Sequence, residues 1–92
     1  MRELQLYGTL GCHLCEIAEQ LLSQVVDFSR VRIELIDIAE GEQSARLMDR
    51  YAVRIPVLAD PQSGEELAWP FTAEELGRFL RAPGAPRRFD PV

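Results

Sequence analysis

The sequence predicts an α/β fold of order βαβαββα, and three observations carry that prediction. A short apolar strand pattern at 2–7 and a longer one at 31–38, V-R-I-E-L-I-D-I, flank a stretch of helical periodicity. A strand, a helix of a dozen or more residues and a second strand imply a parallel pair with a right-handed crossover. Two further strand patterns, at 54–59 and 65–69, are separated only by the turn sequence D-P-Q-S-G and read as an antiparallel hairpin. The stretch T-A-E-E from Thr72 then marks the start of a last helix, because Thr72 and Glu75 have the spacing of a capping box.

Each element follows from its own pattern. In the strand at 2–7, Leu4 and Leu6 share one face. The first helix is expected over about 12–28, with Leu14, Ile17, Ala18, Leu21, Leu22 and Val25 as its buried stripe and Glu16, Glu19, Gln20, Ser23, Gln24 and Asp27 on its wet side. The strand at 31–38 turns Val31, Ile33 and Leu35 one way and Ile36 and Ile38 the other, which predicts burial on both faces near its end. Asp37 interrupts it and reads first as a structural carboxylate. A second helix at 41–50 has Glu40 and Glu42 near its start and Arg46 and Arg50 near its end, matching the helix dipole, with Leu47, Met48 and Tyr51 covering the sheet. R-I-P-V-L-A at 54–59 contains a proline, which cannot donate a ladder hydrogen bond, so it reads as an edge strand or as a shortened one starting at Pro56. Phe71 precedes the cap at Thr72 and can pack on Leu76; Leu76, Phe79 and Leu80 are the buried side of the last helix, and Gly77 suggests a close approach by a neighbouring element. Residues 1–81 are expected to form one domain and 82–92 a proline-rich tail.

Composition excludes several classes of function. The chain has 92 residues, 47% apolar and 27% charged, with 10 Lys and Arg against 15 Asp and Glu, a formal charge of -5. That balance argues against a nucleic-acid footprint. The start M-R-E-L-Q-L lacks a basic segment followed by an apolar run, and no stretch approaches the roughly 20 apolar residues of a membrane span, so a cytoplasmic monomer is the expectation.

The chemistry concentrates in Y-G-T-L-G-C-H-L-C at 7–15, which sets Cys12 and Cys15 three residues apart on the first turn of a helix. Backbone N–H groups in that turn lack intrahelical partners and favour an anion, so a thiol there ionises more easily than a free one. Cys12 comes first and is the nucleophile candidate. Cys15 lines up with Ala18 and Leu22 and faces the interior, within reach of a mixed disulfide on Cys12. A bridge closing so short a loop removes little chain entropy, so the spacing points to exchange chemistry rather than to a staple. Two cysteines with one adjacent histidine do not make a closed four-ligand zinc site, and no metal is expected. His13 either lowers the Cys12 pKa or is an exposed first-turn residue. Trp69 and Phe71 read as core, with an apolar rim for a thiol partner as the alternative.

With Cys-x-x-Cys opening the first helix and Ile55-Pro56 starting the third strand, the chain resembles the small bacterial glutaredoxin-like proteins of the thioredoxin superfamily over about 3–81. The resemblance implies a four-stranded mixed sheet with helices on both faces. It implies a thiol-disulfide oxidoreductase in which Cys12 attacks, Cys15 resolves, and a cis Pro56, flanked by Ile55 and Arg54, borders the substrate groove. Its partners would be a disulfide-containing protein or a glutathione mixed disulfide, together with a thiol reductant system, with glutathione as co-substrate rather than as a bound cofactor. The alternatives are a non-enzymatic binding or redox-sensing module and an iron-sulfur carrier. The chain departs from the family pattern at His13-Leu14, where Pro-Tyr is common, in Gly8, Thr9 and Leu10, where a lysine usually precedes the motif, and in W-P-F-T-A-E-E, where a Gly-Gly-x-Asp-Asp-like segment binds glutathione; Thr72 and the helix N–H groups behind it are the remaining carboxylate acceptors.

Overall fold

Strand β1 (Arg2–Gly8) is the member of the sheet that organises the rest, because β2 (Val31–Asp37) pairs with it in parallel on one side and β3 (Val57–Ala59) pairs with it antiparallel on the other. β4 (Glu66–Ala68) adds antiparallel to β3, so the mixed sheet has four strands in the order β2-β1-β3-β4. These features come from a computed structural model, which describes residues 2–81; the proline-rich tail expected at 82–92 lies outside the described residues.

Alternation along β1 divides the core in two. Leu4 and Leu6 point to the face covered by α1 (His13–Val25) and α3 (Ala73–Arg81), where they pack with Ala18, Leu22, Leu58, Phe71 and Leu76. Tyr7 points to the opposite face, toward α2 (Ser44–Tyr51), where Ile38, Tyr51 and Val57 form a smaller cluster. The helices therefore lie on both faces, in the expected order.

Several boundaries and burials depart from the sequence expectation, each for a local reason. α1 stops at Val25 because Asp27 Oδ1 accepts from Ser29 N (3.0 Å) and Ser29 Oγ (2.6 Å), an Asx-type turn that competes with the helix; Phe28 is left 53% exposed. The buried stripe of α1 is only Cys15, Ala18 and Leu22, with Leu14 and Ile17 on its exposed flank. α2 begins at Ser44, later than expected, since Gly41 takes φ +89° and closes a turn before it. Met48 is exposed rather than core, and Tyr51 supplies the buried contact of that helix. β2 is an edge strand, so Leu35 is 61% exposed and the expected burial on both faces is confined to Ile38 beyond its end. Of the two readings of Pro56, the edge strand is excluded and the shortened strand holds: β3 is interior and only three residues long, with Pro56 just before its first ladder residue where no donor is missed. At Gly77 the nearest group to an added Cβ is the Arg81 guanidinium of the next turn at 3.0 Å, not a neighbouring element. The capping box at α3 forms as read: Glu75 N donates to Thr72 Oγ1 (3.0 Å) and Thr72 N donates to Glu75 Oε1 (2.9 Å).

Candidate functional site

The site begins where β1 ends. Cys12 is the N-cap residue of α1 in extended conformation (φ -88°, ψ 105°), and its Sγ accepts a hydrogen bond from Cys15 N at 3.1 Å. A backbone donor of the first helical turn is thus aimed at the Cys12 sulfur, the geometry that favours its anion. Cys12 and Cys15 are joined as a disulfide, with their Cα atoms 5.2 Å apart. Cys12 is partly exposed whereas Cys15 is 4% exposed, so the first sulfur is the one a partner can reach. Gly8 backs the pair closely, for a Cβ built there would lie 2.8 Å from Cys15 Sγ.

On the β3 side, the β1–β3 register pairs Tyr7 with Val57, and continuing it by one residue sets Pro56 across from Gly8. The Ile55-Pro56 peptide is cis, as is Trp69-Pro70, which nothing in the sequence pattern singled out. Pro56 is buried and its carbonyl accepts from Trp69 N (2.9 Å), while Ile55 is half-buried and its N–H goes to Tyr51 O (3.0 Å). Pro56 is therefore level with Gly8, the residue that backs Cys15 Sγ. Arg54 is not brought there by its side chain, because its Nη2 donates to Glu66 Oε1 (2.9 Å), and Glu66 pairs with Ala59, level with Gln5 on β1. Gly8 lies three residues along the strand from Gln5, about 10 Å. Thr72 is exposed, and both its N–H and its hydroxyl are engaged in the capping box. His13 is exposed and makes no side-chain hydrogen bond or ion pair among the described residues. Phe71 is core, and Trp69 packs edge-on against it with ring centroids 5.0 Å apart.

On the β2 side, a groove of about 160 Å³ runs past Gly8, Thr9, Leu10, Cys15, Leu35 and Asp37. Asp37 borders it half-buried, its Oδ1 accepting from Thr9 Oγ1 (3.0 Å) and Ala39 N (2.8 Å), so its first role is to hold the loop that carries Thr9.

Two polar clusters escaped the sequence reading. Asp60, only 1% exposed, accepts from Arg2 Nη2 (3.0 Å) and from Gln62 N (2.9 Å), and among the described residues it is more deeply buried than Asp37. Glu66 gathers Arg50 (3.1 Å), Arg54 (2.9 Å) and the Tyr51 hydroxyl (2.6 Å), and Tyr51 stacks on Tyr7 with centroids 4.3 Å apart. Burial, with the Glu66 hydrogen bond and charge behind it, pushes the Tyr51 phenol from 10.0 up to about 12. For Glu66 itself burial acts to raise the pKa, but the hydrogen bonds from Tyr51, Arg54 and Arg50 outweigh it and hold the carboxyl below its ordinary value. The partners lie 12 to 16 residues apart in the chain, so no local periodicity announces them.

A family model described as a glutaredoxin-like domain matches residues 3–81. Among solved structures, the X-ray structure of target protein XcR50 from X. campestris matches with a TM-score of 0.72 and 38% sequence identity, covering 87% of this chain and 99% of that one. No curated protein matches the chain.

Proposed function

Because this chain belongs to the glutaredoxin-like domain family, we propose that its Cys12–Cys15 pair exchanges electrons with disulfide substrates by way of a mixed disulfide on Cys12. The observation that carries the reading is the donor from Cys15 N to Cys12 Sγ at the start of α1, with Cys12 outside and Cys15 inside. In the reduced protein the Cys12 thiolate attacks one sulfur of a substrate disulfide, forming a Cys12–substrate bond and expelling the other sulfur as thiolate. Cys15, as thiolate, then attacks Cys12 Sγ, closing the internal bridge and releasing the second substrate thiol. Two electrons leave the protein and reduce the substrate, and an external thiol reductant returns them.

Pro56 offers no N–H and lies level with Gly8, so an extended substrate segment would run beside the Ile55-Pro56 peptide, with the Arg54 backbone at its margin. The capping box engages Thr72, which favours disulfides of proteins over a glutathione carboxylate held at that residue. Among the described residues no helix is long and apolar enough to cross a membrane, and a dithiol that must be reset suits the reducing cytoplasm.

A titration in glutathione buffers, quenched by alkylation and read by intact mass, tests the reaction. A reversible Cys12–Cys15 bridge with a midpoint between about -270 and -180 mV is expected. Thiols that stay reduced throughout, or a bridge that resists reduction, would make the protein a non-enzymatic binding module instead. Cys15→Ser should accumulate the Cys12 mixed disulfide, and its absence where wild type turns over would remove Cys12 as the attacking group.

A further inference from the structure

The two edges of the sheet are unequal. β4 is three residues long, whereas β2 presents seven residues with neither proline nor glycine, and nothing among the described residues pairs with its outer side. A long, regular open edge is a template for another strand. Its side chains are also self-complementary. Val31, Ile33 and Leu35 point to the α1 face, since the register sets Ile33 against Leu4 and Leu35 against Leu6. Arg32 and Glu34 point to the opposite face, both exposed, and neither has an ion pair or side-chain hydrogen bond among the described residues. Leu35 and nearby Phe28 are 61% and 53% exposed.

We propose that β2 is the interface of a two-fold dimer of this chain, in which two copies of the strand pair antiparallel about Ile33. In that register Arg32 lies opposite Glu34 of the partner subunit and Glu34 opposite the partner's Arg32, while Val31 faces the partner's Leu35 and Ile33 faces its own copy. Directly opposed side chains sit about 4.5–5.5 Å apart at Cβ, where opposite charges attract and like charges repel. Centring the pair on Arg32 or on Glu34 instead puts like charges across from each other, so the charge pattern selects one register. A single two-fold axis makes the contact isologous and closed, which limits growth to two copies. The two four-stranded sheets become one continuous sheet, and the exposed Leu35 is covered. Such a dimer would stand against the monomer expected from the sequence, where nothing marked β2 as an edge.

Sedimentation equilibrium on the full chain, from micromolar to millimolar, tests the interface with three variants: Arg32→Glu, Glu34→Arg and the doubly exchanged R32E/E34R. Each single reversal is read twice across the two-fold axis, so it should weaken dimerisation by about tenfold or more, whereas the double exchange restores both pairs and should return the dimer. None of these residues belongs to the dithiol site, so reduction of a model disulfide at the wild-type rate verifies that each variant is folded. A wild type that remains monomeric at every concentration overturns the proposal. So does a dimer that neither single reversal weakens, or a double exchange that stays as dissociated as the singles.

Discussion

Gly8 is the residue on which the dithiol leans, since any side chain there would press on Cys15 Sγ, the sulfur that closes the bridge in the proposed reaction. An added Cβ would lie 2.8 Å from Cys15 Sγ, nearer than real Cβ contacts allow, and Cys15 is buried and cannot swing away freely. Gly8→Ala should therefore push Cys15 Sγ from its place and slow the step in which Cys15 attacks the mixed disulfide, while leaving the first attack by Cys12 nearly unchanged. Stopped-flow reduction of a chromogenic disulfide, with intact mass on quenched samples, separates the two steps. Equal slowing of both would show that the methyl group disturbs the whole loop instead. The cysteines were legible from the chain because their meaning is local, a matter of spacing and of a helix start. The weight on Gly8 was not legible, since it depends on β1 and α1 coming together in space. Asp37 shows the reach of local pattern, for it is the structural carboxylate the chain suggested, half-buried and holding Thr9 and Ala39 N, whereas the deeper burial of Asp60 was not legible because its Arg2 partner lies 58 residues away in the chain.

At the scale of elements, what could be read was whatever a few neighbouring residues decide. The capping box of α3 is the clearest case, for T-A-E-E forms both reciprocal hydrogen bonds, and Phe71 and Leu76 flank it in the same apolar cluster. Thr72→Ala removes the hydroxyl that accepts from Glu75 N and should cost about 1 kcal/mol of stability. Urea unfolding followed by the fluorescence of Trp69 measures it, and a change near zero would mean that water satisfies the freed N–H equally well. Strand order was harder to read. Pro56 suggested either an edge strand or a shortened one, and the structure has the second: β3 lies between β1 and β4 and keeps only Val57–Ala59, because the proline falls one residue before the ladder where its missing donor costs nothing. The amphipathic pattern of α1 likewise overstated its buried face. The helix packs through a narrow line of Cys15, Ala18 and Leu22, and periodicity cannot tell the width of the surface that receives it.

For the molecule as a whole, the Glu66 cluster makes stability depend on pH from both ends. It joins α2 to β4, and through the Tyr51–Tyr7 stack it joins both to β1, so the layer on that face depends on one charge state of two groups. Glu66 ionises more readily in the folded chain than at its ordinary value of 4.5. As pH falls, the unfolded chain takes up that proton first, so the stabilisation is complete above about 4.5 and is lost as pH drops through the lower folded value. Tyr51 behaves in the opposite sense, because its folded pKa of about 12 exceeds 10.0 and the unfolded phenol loses its proton first. Its contribution is complete below 10.0 and disappears as pH rises through about 12. Urea midpoints measured across pH should therefore fall at both extremes. Glu66→Gln should flatten the acid limb, and Tyr51→Phe should flatten the alkaline limb and make the acid one shallower, because it removes one of the hydrogen bonds that hold the Glu66 carboxyl below its ordinary value. If both variants kept the slopes of the wild type, the pH dependence would arise in other carboxylates and phenols, and the cluster would hold α2 by packing alone.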